Sequence, residues 1–250
     1  MFVIPMAGES QRFRDAGYAD PKYRLEAHGA PVFDHAVNSF AAYFAGDAFL
    51  FVLRGAETEK FVQQRCDALG IANATFVRLD RPTSGQAETV LLGLDAAGVG
   101  DDESIAIFNI DTFRPAYRKP PQVTDPACAG YLEVFRGKGE GWSFVAADPA
   151  RAGAVAEVAE KRAISDLCCT GLYHFRRAGD FRWAYRNPAP PKSDAERRER
   201  YVAPLYNSLI ECGFTIGLQM IDPSEVIFCG TPDEYAQVVA SAEIARRLAP

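Results

Sequence analysis

The chain has 250 residues, 48% of them hydrophobic and 24% charged, enough apolar surface for a full core in a single large domain. Its 33 acidic against 27 basic side chains give a net charge of −6, which excludes a protein built around a basic face for nucleic acid. No apolar run reaches the ~18 residues of a membrane-spanning helix, and the opening FVIPMA lacks the basic leader and length of a signal peptide, so a cytoplasmic protein with no membrane partner is expected.

Taken in chain order, apolar runs predict strands at residues 2–5, 49–53, 75–79 and 105–109. Apolar residues at three- and four-residue spacing predict helices between them at 32–44, 57–69 and 87–96. Such alternation implies parallel strands joined by crossover helices, hence an α/β sheet over at least residues 1–110. Beyond Asp111 the rhythm changes. A proline-rich polar stretch at 115–126 precedes strands expected at 143–147, 171–175 and 215–220, which read as mixed or antiparallel additions to the same sheet. The run PAPPKSDAERRERY at 188–201 reads as an exposed loop leading into a charged helix start, and a last helix is expected at 232–248.

Some side chains are expected to carry no chemistry. Cys66, Cys128, Cys168, Cys169, Cys212 and Cys229 show no C-x-x-C or Cys/His spacing, so neither a zinc site nor a disulfide framework is expected. No Ser/His/Asp arrangement stands out, and His28, His35 and His174 need no catalytic role.

The first strand stops at a turn of small residues, AGESQR, and glycine in such a turn lets backbone amides approach an oxyanion. Neither the Walker pattern nor the G-x-G-x-x-G fingerprint is present. Instead Arg12 lies within the loop, Pro21-Lys22 follows, then Gly29-Ala30-Pro31. Further along come TSGQAETVLLGL at 83–94, FNID at 108–111, EK at 160–161, TGLYHF at 170–175 and GTPDEY at 230–235. In this order the blocks resemble those of the sugar-phosphate nucleotidylyltransferases of the GT-A-like fold, and they cover nearly the whole chain. GYADPKY, FNIDTFRP and YVAPLYN are similar in flavour to the members associated with capsule and other surface-polysaccharide biosynthesis.

The resemblance implies a Rossmann-like, mainly parallel mixed sheet flanked by helices in one domain, with residues 1–111 as the nucleotide half and 112–250 as the acceptor half. It implies transfer of a nucleotidyl group from a nucleoside triphosphate to a sugar 1-phosphate or related phosphorylated metabolite, releasing pyrophosphate. Both reactants are anions, so charge neutralisation and alignment dominate, and no protein nucleophile is needed. Ala7, Gly8, Glu9, Ser10 and Gln11 are expected around the triphosphate, with Arg12 and Lys22 covering its charge. Ser10 stands where the family usually has a second glycine. Asp111 at a strand end is expected to hold Mg²⁺. Gly85 and Gln86 fall where the family reads the base, and loop 81–86 closing over it would favour a pyrimidine. Gln86 reads equally as a polar residue at a helix start, beside Ser84 and Glu88.

On the acceptor side the resemblance places Glu160 at sugar hydroxyls, Lys161 at the acceptor phosphate, and Trp142, Thr170, Gly171 and Tyr173 along the wall. An exposed Glu160–Lys161 ion pair and core aromatics at 142 and 173 are the simpler structural alternatives. One departure stands out: Phe228 occupies the place of a second metal-binding Asp, two residues before the late Gly-Thr-Pro, so that the metal is held by Asp111, phosphates and water, or Asp222 or Glu225 substitutes, or activity is lost. Three functions are therefore open: a nucleotidyltransferase, a glycosyltransferase using a nucleotide sugar, and an inactive nucleotide-binding homologue. The expected partners are the nucleotide and a small phosphorylated acceptor, with a homo-oligomer open.

Overall fold

The computed structural model describes residues 1–249. From the N-terminus, β1 (Phe2–Met6) enters α1 (Gln11–Asp15), and the hairpin of β2 (Glu26–Ala27) and β3 (Ala30–Pro31) leads into α2 (Val32–Asn38). Then come β4 (Ala48–Arg54), α3 (Ala56–Leu69), β5 (Asn73–Leu79), α4 (Gln86–Ala96) and β6 (Ile105–Phe108). These elements give a parallel half-sheet in the order β6-β1-β4-β5. The interior of β4 is buried on both faces, which is why its sequence AFLFVLR is nearly continuous in apolar residues.

After Asp111 the chain adds β7 (Thr112–Phe113), β8 (Cys128–Arg136), β9 (Ser143–Ala147), β10 (Val155–Glu160) and β11 (Leu167–Phe175). Next are α5 (Ala178–Arg186), α6 (Asp194–Arg198), α7 (Leu205–Glu211), β12 (Thr215–Met220), β13 (Ile227–Phe228), α8 (Pro232–Ala240) and α9 (Ala242–Leu248). The long β11 joins the halves: it runs antiparallel to β6 on one side and to β8 on the other, and its first half meets β9, which pairs with β10. β12 lies parallel to β8, so the added half is mixed, as expected.

Two strands of the main sheet escaped the sequence reading. β8, CAGYLEVFR, carries Gly130 and the buried Glu133 in its interior. Gly130 is required there because a Cβ would stand 2.1 Å from the carbonyl oxygen of His174 on β11. β10, VAEVAE, offers little apolar contrast between its faces. Two predicted helices are shorter than expected. α2 ends at Asn38 and a 3₁₀ turn covers Ala41–Tyr43, while the C-terminal helix breaks at Ser241, whose hydroxyl accepts from the amide of Ile244 to start α9.

The sheet separates two cores. One is aromatic, with Phe2, Phe33, Phe40, Phe49, Phe51 and Phe108 packed together. The other packs Val3, Val52, Leu94, Ile107 and Leu132 with residues of α5 and α7. Here α4 lies unusually close to the sheet: a Cβ at Gly93 would stand 2.2 Å from Cγ2 of Val52. The strand ends of β1 and β6 and the bulged middle of β11 open into one cleft.

Candidate active site

The cleft has a volume of about 1100 Å³ and crosses the junction of the parallel and mixed half-sheets. Its floor begins at the end of β1. Ala7, Gly8, Glu9 and Arg12 line it, whereas Ser10 and Gln11 do not. Ser10 takes a left-handed backbone, φ 54°, in the conformation glycine favours, and its hydroxyl accepts from the amide of Lys22 at 3.3 Å. Gln11 turns outward and donates to Asp15 at 2.6 Å. Glu9 is engaged by Arg54 at 2.6 Å, and that guanidinium holds the Glu9 carboxyl below its usual range.

Lys22 Nζ donates to Asp111 Oδ2 at 2.5 Å, with both side chains largely shielded from solvent. The backbone of Asp111 is fixed by Cys229, whose amide donates to its carbonyl at 2.8 Å, and by the β7–β13 ladder pairing Thr112 with Phe228. Beside the carboxylate is Gly230, where a Cβ would come within 3.0 Å of Asp111 Oδ2 and 3.6 Å of Glu234 Oε2. Glu234 accepts from the amides of Gly230 and Thr231 at 2.8 and 2.9 Å, and so caps α8 from within the cleft.

At one end of the cleft Gln86 opens α4 and donates through Nε2 to Oδ1 of Asn109 at 2.5 Å. The Ser84 amide is taken by Glu88 at 2.5 Å, which with Arg81 pulls the Glu88 carboxyl down to about 2. Asn109 is seated against Gly171 of β11: its amide donates to the Gly171 carbonyl at 3.1 Å, and a Cβ at 171, where φ is 95°, would strike Asn109 Nδ2 at 2.6 Å. Gly171 thus allows the amide pair to lie on the strand junction.

The other end holds Glu160 and Lys161. Glu160 is 4% exposed and accepts from the Ser143 hydroxyl. Burial pushes its carboxyl up to about 7, against the pull of Ser143 and Lys161, with Glu196 and Glu199 adding to the rise. The alternative of an exposed ion pair is therefore not what forms: Glu160 turns inward while Lys161 reaches Tyr201 Oη at 2.6 Å. Trp142 forms the wall with Phe228, ring centroids 4.6 Å apart, and Phe135 closes the cluster at 5.2 Å from Trp142 and 5.1 Å from Phe228. Tyr173 is buried in the floor. Thr170 also lines the cleft, but its hydroxyl is engaged elsewhere, donating to Glu133 at 2.9 Å beside the buried pair in which Arg114 Nε donates to Glu133 at 2.8 Å.

Among the described residues no group of three or more His, Cys, Asp or Glu could hold a metal, so any ion at Asp111 must complete its shell with phosphates and water. Asp222 and Glu225 cap their own 3₁₀ turn and do not line the cleft, so neither replaces the carboxylate absent at 228.

The chain matches no protein-family model and no curated protein. Among solved structures, the nucleoside-diphosphate-sugar pyrophosphorylase of Vibrio cholerae is 50% identical, with a TM-score of 0.90 over 96% of this chain and 100% of that one. The chain belongs to the sugar-phosphate nucleotidyltransferases. This nucleotidyltransferase also shares its fold with the inositol-1-phosphate CTP transferase of T. maritima, at 12% identity and a TM-score of 0.71 over 99% and 93% of the two chains. A UDP-glucose pyrophosphorylase complexed with UDP-glucose gives 14% identity and a TM-score of 0.72 over 95% and 96%. The helix-flanked, mainly parallel mixed sheet in one domain is that of the family.

In the nucleotidyltransferase, fourteen of the residues singled out from the sequence line one cleft, from Ala7 and Gln86 to Glu160, Lys161 and Tyr173. The sequence reading missed Arg54, Asn109, Glu199, Tyr201 and Glu234. Asn109 and Glu234 lie inside FNID and GTPDEY, blocks already quoted, and each could have been found by asking which polar side chain neighbours the named one. Arg198, Glu199 and Tyr201 belong to the run read as an exposed loop leading into a charged helix start, and the chain turns them into the cleft wall.

Proposed function

We propose that this nucleotidyltransferase joins the nucleotidyl group of a pyrimidine nucleoside triphosphate to a sugar 1-phosphate and releases pyrophosphate, with Mg²⁺ held at Asp111. The observation that carries the reading is the Lys22–Asp111 pair, which shares one cleft with the Gln86–Asn109 amides and Lys161. An amide pair can donate to and accept from a base edge, and the ammonium of Lys161 suits an acceptor phosphate. Residues 1–111 supply the nucleotide side and 112–250 the acceptor side. The product is assigned to surface-polysaccharide assembly in the cytoplasm on the resemblance of GYADPKY, FNIDTFRP and YVAPLYN.

The donor set fits a hard cation. Asp111 offers carboxylate oxygens, and the missing Cβ of Gly230 leaves room beside Oδ2. One or two carboxylates completed by phosphates and water is the usual Mg²⁺ arrangement, so Phe228 does not preclude it. Bound there, Mg²⁺ supplies charge neutralisation between the α-phosphate and the acceptor phosphate. Arg12 and Lys22 bear on the triphosphate and the departing pyrophosphate, and Lys161 draws the acceptor phosphate into line. That phosphate is already ionised at neutral pH, so its oxygen attacks phosphorus with no protein base. Glu160, when ionised, accepts from acceptor hydroxyls.

Five nucleoside triphosphates crossed with a panel of sugar 1-phosphates, with pyrophosphate release as the readout, test this directly. Release with CTP, UTP or dTTP well above ATP and GTP is expected. A purine preference overturns the role of Gln86, and no release with any pair overturns the reaction.

A further inference from the structure

The segment after α6 is a strap across the cleft. Arg200 lies alongside the base-side loop: its amide donates to the Ser84 carbonyl at 2.8 Å, and its carbonyl accepts from the Ala87 amide at 2.8 Å. Gly85 sits under it with φ 143°, and a Cβ there would stand 2.6 Å from both N and O of Arg200. These are backbone atoms that no rotamer change can move aside. From behind, the Arg200 guanidinium packs over the Tyr185 ring at 4.6 Å and donates to the Tyr185 carbonyl at 3.1 Å.

The next residue contacts Lys161. Tyr201 Oη accepts from Lys161 Nζ at 2.6 Å and donates to Glu199 Oε2 at 2.6 Å. The phenol therefore stands between an ammonium and a carboxylate. Burial and Glu199 hold its pKa above the usual tyrosine value, so the proton stays on oxygen and points at Glu199, leaving a lone pair for Lys161. Lys161 is itself held in an uncommon state. Its backbone has φ 52°, costly for a residue with a Cβ, and its amide donates to the Trp142 carbonyl at 2.8 Å. A free lysine side chain is rich in rotamers, and a fixed partner removes much of the cost of ordering them from the binding step.

We propose that Tyr201 is the positioning residue for Lys161: anchored by Glu199, its hydroxyl takes one of the three ammonium donors and aims the other two at the acceptor phosphate. Because Glu199–Tyr201 is fastened to the base-side loop over Gly85, the strap also ties the placement of Lys161 to that loop. The proposal rests on the reading that Lys161 meets the acceptor phosphate.

The test uses full-length enzyme with its best triphosphate and sugar 1-phosphate, and reads pyrophosphate release while each substrate is varied in turn. Tyr201→Phe keeps the ring and removes only the hydroxyl. Its acceptor KM is expected to rise about tenfold, the worth of one hydrogen bond to a charged group, with kcat within about twofold and the triphosphate KM unchanged. Glu199→Gln still accepts from the phenol, so its acceptor KM should stay close to wild type. Gly85→Ala, which displaces the strap, should raise both KM values. An acceptor KM unchanged in Tyr201→Phe, or a triphosphate KM raised as much as the acceptor's, overturns the proposal. Lys161→Ala separates the two ideas: if it leaves acceptor KM alone, the role of Lys161 fails and the positioning role with it, whereas a raised KM there beside an unaffected Tyr201→Phe overturns the positioning role alone.

Discussion

Replacing Glu160 with glutamine removes a charge that the fold resists. Glu160 is almost wholly buried, and its carboxyl rises from 4.5 to about 7 mainly because burial penalises the ionised form. That gap corresponds to about 3 kcal/mol. Between the two values the folded chain keeps a proton the unfolded chain has released, so stability is greatest below 4.5 and falls as pH rises through about 7. Glutamine has nearly the same shape and no charge, so Glu160→Gln should not share the decline. Urea unfolding at steps from pH ~4.5 to ~8.5 measures it. Wild type and variant should agree within about 1 kcal/mol at the acid end, and the variant should lead by about 3 kcal/mol at the alkaline end. A difference that stays flat across the range would refute the assignment of burial as the cause.

Asp111→Asn should abolish pyrophosphate release at low Mg²⁺ while its thermal melt stays close to wild type, because the lost function is a metal ligand and not a packing contact. Near-normal turnover would place the metal elsewhere. Lys22→Ala should lower kcat/KM about a hundredfold, on the order of 3 kcal/mol of lost charge stabilisation, and a change under about threefold would remove Lys22 from the triphosphate. Arg114→Met strands the Glu133 carboxylate in the core and should cost about 3–5 kcal/mol in urea unfolding. Adding Glu133→Leu should recover most of it, and no recovery would mean that the loss comes from packing around Arg114 and not from an uncompensated charge.

The parallel half of the sheet was legible because its strands are buried on both faces and its helices are amphipathic, which leaves a pattern in the sequence. The mixed half was less so: β8 contains a glycine explained by its neighbour β11 and a buried glutamate explained by Arg114 and by Thr170 of β11. The same division holds for the site. Arg12, Lys22, Asp111 and Lys161 lie in short blocks that stand out in the sequence, and all four line one cleft. Ser10 and Gln11 came with their block and fall outside the cleft wall, since the turn sends one side chain back to Lys22 and the other to solvent. Tyr201 opens the quoted block YVAPLYN, yet neither it nor Glu199 could be given a role from the sequence. A charged run looks solvated until the backbone pairing of Arg200 with Ser84 and Ala87 is known.

Gly93 and Val52 lie on the apolar side of the sheet, two turns of helix along from Gln86, and touch no part of the cleft. Yet their near contact sets the height at which α4 rests, and Gln86 is that helix's first residue. A methyl group at 93 must lift or tilt the whole rod, and a rod tilted at one end moves at the other. Random mutagenesis selected for altered nucleotide choice should therefore return substitutions at 52 and 93 alongside those in the cleft, since the back of the sheet acts as an adjusting screw for the amide at the front.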